Sequence, residues 1–170
     1  FILSYQSVQP IAGSHIYLSG GMGIRIALHR STFSPPTKNI NVLTQLNKYM
    51  IDQSNDFDFK YTVPRELTTT QELQTYVNNM NAIFEPLIQA FAVSEGATMF
   101  IQQIFPNPQT PLDITTSRMV PYPGKINYYI RMYLLQINGK VYDIADTALM
   151  YKQGFVPSMI NTRFGIRVLH

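Results

Sequence analysis

There is no cysteine and no tryptophan in this chain of 170 residues. Without cysteine, disulfides, thiolate zinc sites and cysteine nucleophiles are excluded together, and the redox compartment is left open. Charge is also scarce. Asp, Glu, Lys and Arg make up 14% of the residues, against roughly 25% in an ordinary globular domain. No apolar run reaches the roughly 18 residues that cross a bilayer as a helix, so no membrane span is expected. Ser, Thr, Asn and Gln occupy the positions that charge leaves. A surface of neutral polar groups offers little repulsion between copies, and charged residues are the type depleted at the cores of interfaces. The composition therefore points to a protein that works against other protein.

The hydrophobic share of 45% supports a full core and argues against disorder. A chain of this length fits one domain, residues 1–170, and buries enough surface to fold without a metal or disulfide staple. The net charge of +3 sets 13 basic residues against 10 acidic ones. The basic residues are dispersed, and no window gathers the Lys/Arg cluster that marks a phosphate-binding stripe. The chain opens on Phe1, as a processed chain or part of a longer one would.

Ser14 to Ser19 reads as a strand, broken by Gly20, Gly21 and Gly23. Gly23 to His29 alternates, with Ile24, Ile26 and Leu28 on one face and Arg25, Ala27 and His29 on the other. Together they suggest a hairpin around a glycine-rich turn. Ser34-Pro35-Pro36-Thr37 ends this unit. A first helix is expected from the N-cap Asn41, carrying Leu43, Leu46 and Met50 at helical spacing. Phe57, Phe59 and Tyr61 then alternate with polar residues, as in a short strand. Thr69 and Glu72 have the spacing of a capping box and open a second helix. Its apolar stripe runs through Leu73, Tyr76, Val77, Met80, Ile83, Phe84, Leu87, Ile88 and Phe91, with a kink or break expected at Pro86 and an end near Gly96. Ala97 to Phe105 fits helix and strand equally. Asp113 to Val120 suggests an edge strand between two proline-rich connections.

The strongest β signal is C-terminal. Ile126 to Ile137 and Lys140 to Ala145 are joined by Asn138-Gly139, the residues a type I′ turn requires. Pairing outward from that turn puts Ile137, Leu135, Tyr133, Tyr142 and Ile144 on one face. Gln136, Leu134, Met132, Val141, Asp143 and Ala145 take the other. This second face is too apolar to be left in water, and Met132, Leu134, Val141 and Ala145 become the candidate interface. Asn161 to His170 reads as a last strand. Its Gly165-Ile166-Arg167-Val168 echoes Gly23-Ile24-Arg25-Ile26, too briefly to define a repeat.

Motifs for chemistry are few. Asp52, Asp56 and Asp58 crowd one segment as calcium ligands do, but without the EF-hand glycine and glutamate, so a solvated turn is the expectation. Gly20-Gly21-Met22-Gly23 leads into an expected strand, which favours a turn over a phosphate loop. His15, His29 and His170 make no metal motif. No serine stands in a nucleophile elbow, and Asp143 and Asp146 read as a hairpin end. No catalytic, cofactor or metal site is expected. Tyr128, Tyr129, Arg131 and Tyr133 suit an interface better than a base-stacking platform.

The expected fold is α+β: a mostly antiparallel sheet with strands from both chain ends, covered by two central helices. The expected function is that of a structural subunit of a large assembly, a capsid, tail or connector component of a virus or phage particle, with a virion location. Its partners would be other copies of itself or other subunits. The alternative is a nucleic-acid-contacting module using the outward arginines Arg25, Arg163 and Arg167. A lesser alternative is an enzyme with a site built from scattered carboxylates and histidines such as Asp52, Asp58, His15 and His29.

Overall fold

The computed structural model describes residues 8–23 and 56–155. Six strands and one long helix are ordered β1 (His15–Ser19), β2 (Phe57–Thr62), α1 (Thr70–Ser94), β3 (Thr98–Phe105), β4 (Met119–Tyr122), β5 (Lys125–Ile137) and β6 (Lys140–Lys152). The fold is α+β. One sheet runs β1-β2-β6-β5-β3, and β4 pairs with β5 beside β3. All pairs are antiparallel except β2–β6, which is parallel. The expected first helix from Asn41 and the expected strands Gly23–His29 and Asn161–His170 lie outside the described residues.

The β5–β6 hairpin forms around Asn138 and Gly139, whose φ angles of 52° and 79° are those its tight turn demands. Both strands are long, and β6 runs on past Ala145 to Lys152. Of the segment Ala97 to Phe105, Thr98–Phe105 forms strand β3. The expected edge strand at Asp113 to Val120 is shorter and later, as β4. Before it, Asp113 closes a local turn, its Oδ1 accepting from the Thr115 N–H at 2.8 Å.

At the start of α1, the Thr69 hydroxyl accepts from the Glu72 N–H at 3.2 Å. The Glu72 carboxylate turns to the Thr68 N–H and to Arg65 rather than closing the box on Thr69. The far end closes with Gly96 at φ 64° and the Ala97 N–H donating back to the Ala92 carbonyl at 2.9 Å. Pro86 does not break α1, which continues through it to Ser94. It sits on the exposed side, as does Ala82, whose carbonyl it deprives of a donor and leaves to water. Met80, Phe84 and Ile88 are buried to either side and hold the helix across the defect.

The core lies between α1 and one face of the sheet. Leu73, Val77, Met80, Phe84 and Ile88 meet Ile16, Leu18, Phe59, Tyr61, Tyr129, Tyr133, Ala145 and Leu149. Phe59 packs on Phe84 with ring centroids 4.9 Å apart. Two buried tyrosines add polar ties: Tyr128 Oη accepts from the Leu67 N–H at 2.9 Å, and Tyr61 Oη accepts from the Ile11 N–H at 3.1 Å while donating to Asn79.

Candidate functional site

A β-bulge decides what the opposite face presents. Along the β5–β6 ladder, Tyr133 pairs with Ala145 but Leu134 pairs with Asp143, so Ile144 is an extra residue on β6. Residues three apart on a regular strand point to opposite faces. The bulge cancels one step, and Asp143 and Asp146 point the same way, opposite Leu134 and Met132. The same step carries Ala145 onto the helix side beside Tyr133, where it is fully buried. Ala145 is therefore not an interface residue: alternation counted outward from the turn fails where the extra residue enters. Met132, Leu134 and Val141 do share the face away from α1. The first two are half-buried, and Val141 is 54% exposed.

The parallel pairing of β2 with β6 sets Asp58 beside Asp146. Asp56, two residues earlier, reaches the same place. One carboxylate oxygen from each of Asp56, Asp143 and Asp146 lies within 4.8 Å of the others. Asp58 stands next to them, under the chain leaving β1. There Gly20 has φ 67°, and a Cβ on it would collide with Asp58 Oδ2. Residues 20–23 wind helically rather than forming the expected hairpin turn.

Four carboxyl groups thus converge without a matching set of cations among the described residues. The ion pairs among the described residues join glutamates to arginines elsewhere. Burial raises Asp146 to about 7, with Asp143, Asp56 and Asp58 adding repulsion; the Asp56 side chain also hydrogen-bonds it. Asp146 Oδ1 is enclosed and has no hydrogen-bond partner among the described residues. Asp143 is raised to about 6, first by burial and then by Asp56 and Asp58. Burial and Asp56 raise Asp58 too, and Lys60 partly offsets them. Crowded carboxylates relieve their repulsion by keeping protons or by binding a divalent cation. Asp56, Asp143 and Asp146 are the residues that could hold one. An all-oxygen donor set suits magnesium, calcium or manganese.

The sequence signals for this cluster were partial. Asp56 immediately precedes β2 and Asp58 lies within it; the rest of the expected solvated turn, from Asp52, lies outside the described residues. Asp143 and Asp146 are brought to one face only by the bulge, and no residue type announces it. Asp52, His29, His170, Arg25, Arg163 and Arg167 lie outside the described residues. His15 is exposed at the end of β1 opposite Ser19, the neighbour of Asp58, so it does not join the carboxylates. Arg131 pairs with Glu85 on the helix side and lies 5.8 Å from the Tyr133 ring centre. Its side chain and the buried Tyr128, Tyr129 and Tyr133 are committed to the core.

On the face away from α1, cross-strand rows lead from the carboxylates to the sheet edge. Asp146, Met132 and Gln102 form one row, and Asp143, Leu134 and Phe100 the next. The edge strand β3 carries no charge and exposes Phe100 (46%), Ile101 (38%) and Ile104 (45%). At the other end of the strand order among the described residues, Ile16, Tyr17 and Leu18 of β1 are all buried. No α-helix among the described residues is long and apolar enough to cross a membrane. No protein-family model matches the chain, and neither a curated protein nor a solved structure matches it.

Proposed function

We propose that this chain is a structural subunit of a larger protein assembly, of the kind that builds virus and phage particles, and that it acts by protein–protein contact. The observation that carries this reading is β3: eight residues of edge strand, uncharged, with apolar side chains exposed on both faces. Natural monomers guard such an edge with charge, proline, short length or a covering segment, because its free N–H and C=O groups accept another strand. The bulge at Ile104 interrupts only the last part of β3. Inward from the edge, Met132 and Leu134 continue the apolar surface, and Val141 extends it toward the hairpin tip. The low charge of the whole chain fits the same role.

Size-exclusion chromatography with light scattering, followed by negative-stain electron microscopy of the concentrated protein, tests the proposal. Concentration-dependent oligomers are expected. A species that stays monomeric at every concentration, with no partner recovered from its source, would overturn it.

A further inference from the structure

Resting on that reading, we infer that the partner of β3 is the β3 strand of a second copy, paired antiparallel across a two-fold axis. Such an axis stands perpendicular to the sheet. It joins the two sheets edge to edge and keeps both α1 helices on one side. In an isologous contact residue i meets j and j meets i, so residues beside the axis meet themselves or a near neighbour in the other copy. A single charge near the middle of the strand would therefore face its like at close range, at a cost to pairing. Thr98–Phe105 contains none, whereas β2, β5 and β6 all carry charged residues. β4, which shares this side of β5, holds Pro121, which lacks an N–H to give a ladder.

Register follows from the pleat. A two-fold axis preserves faces, so paired residues must differ by an even number along the strand, and the axis must fall beside a residue rather than between two. The bulge at Ile104 confines regular pairing to residues 98–103. That places the axis beside Phe100 or Ile101. With the axis beside Phe100, Phe100 meets its own copy and Gln102 meets Thr98 on the face away from the helices, while Met99 meets Ile101 on the helix face. With the axis beside Ile101, Phe100 meets Gln102 on the first face, and Ile101 meets its own copy on the second. Charge elsewhere does not oppose the contact. Each acidic cluster is separated from the axis by β5 and β3, which at about 4.8 Å per strand leaves the two clusters roughly 25 Å apart, several Debye lengths at physiological ionic strength.

The absence of cysteine makes the test direct. Phe100→Cys and Ile101→Cys each introduce one thiol, and a residue on the axis lies within disulfide reach of its own copy. Oxidation should link one of them into a covalent dimer of twice 19.4 kDa. Val93→Cys, exposed near the end of α1, should stay monomeric. Gln102→Lys adds a charge without removing an apolar contact. It should weaken the dimer about tenfold or more in light scattering, while circular dichroism confirms that the fold is kept. If the parent chain is a dimer that Gln102→Lys leaves intact and neither cysteine links, association occurs through another surface. The β3 pairing then falls and the assembly reading stands. A parent chain that is monomeric throughout overturns both.

Discussion

Replacing Asp146 by Asn should stabilise this protein, although it removes a native polar side chain. The folded chain holds the Asp146 proton up to about pH 7, against an ordinary value of 3.8. Between about pH 4 and pH 7 the folded state is therefore protonated where the unfolded chain is not. Stability falls as pH rises through that window, and the loss is complete above it. At about 1.36 kcal/mol per pKa unit the full shift is worth about 4 kcal/mol. The side chain is still partly open to water, and screening reduces the expected effect to about 1–2 kcal/mol. Asparagine keeps the shape, carries no charge and can still donate to Asp56. Thermal unfolding from pH 4 to pH 8 should show the variant melting about 3–6 °C higher at pH 8, from the usual scaling for a chain of this size. The two proteins should converge near pH 4. Millimolar calcium or magnesium at pH 8 separates the two ways of neutralising the cluster. A cation held by Asp56, Asp143 and Asp146 would raise the parent melt and narrow the gap, whereas an unchanged gap leaves protons as the neutralising partner. A variant less stable than the parent at pH 8, or a gap that ignores pH, would refute the electrostatic account.

Three further substitutions probe the scaffold. Gly20→Ala should cost roughly 2–3 kcal/mol in urea unfolding, because the left-handed backbone alone costs about 1–2 kcal/mol and the new Cβ meets the Asp58 carboxylate; trimming Asp58 to Ala in that background should recover the steric share. Phe84→Ala removes a fully buried ring packed against Phe59 and should cost about 3–5 kcal/mol; a loss below about 1 kcal/mol would mean that α1 does not form the lid of the core. At the hairpin turn, Gly139→Val places a β-branched residue at φ 79° with nothing near its Cβ. The expected cost of about 1–2 kcal/mol is then purely conformational, and an unchanged melting temperature would contradict the turn.

What the sequence made legible was local. Asn138-Gly139 specifies its hairpin because few other pairs tolerate that backbone. Thr69 marks the start of α1 because its hydroxyl replaces a missing carbonyl, and the alternation through Phe57, Phe59 and Tyr61 marks β2. What it hid depends on tertiary context. Pro86 is tolerated because buried neighbours outweigh one lost hydrogen bond. Residues 98–105 became strand because β5 offered a free edge to pair with. The acidic cluster needed two facts with no sequence signature: the parallel partnership of β2 with β6, and the extra residue at Ile144. Met132, Leu134 and Val141 share the face expected of them because they keep their relation to the turn, whereas Ala145 lies beyond the bulge.

The parallel partnership also orders events in time. During synthesis β1 and β2 emerge early, yet β2 finds its second neighbour only when residues 145–150 have left the ribosome. Until then Phe57, Phe59 and Tyr61 have no strand on one side, and the sheet centre stays open through the making of α1, β3, β4 and β5. Contacts between segments so distant are slow to form, and an open strand held that long invites mispairing with neighbouring nascent chains. A chain cut short before β6 would lack the middle of its sheet rather than an edge, so truncation there should yield an aggregating fragment instead of a smaller folded domain.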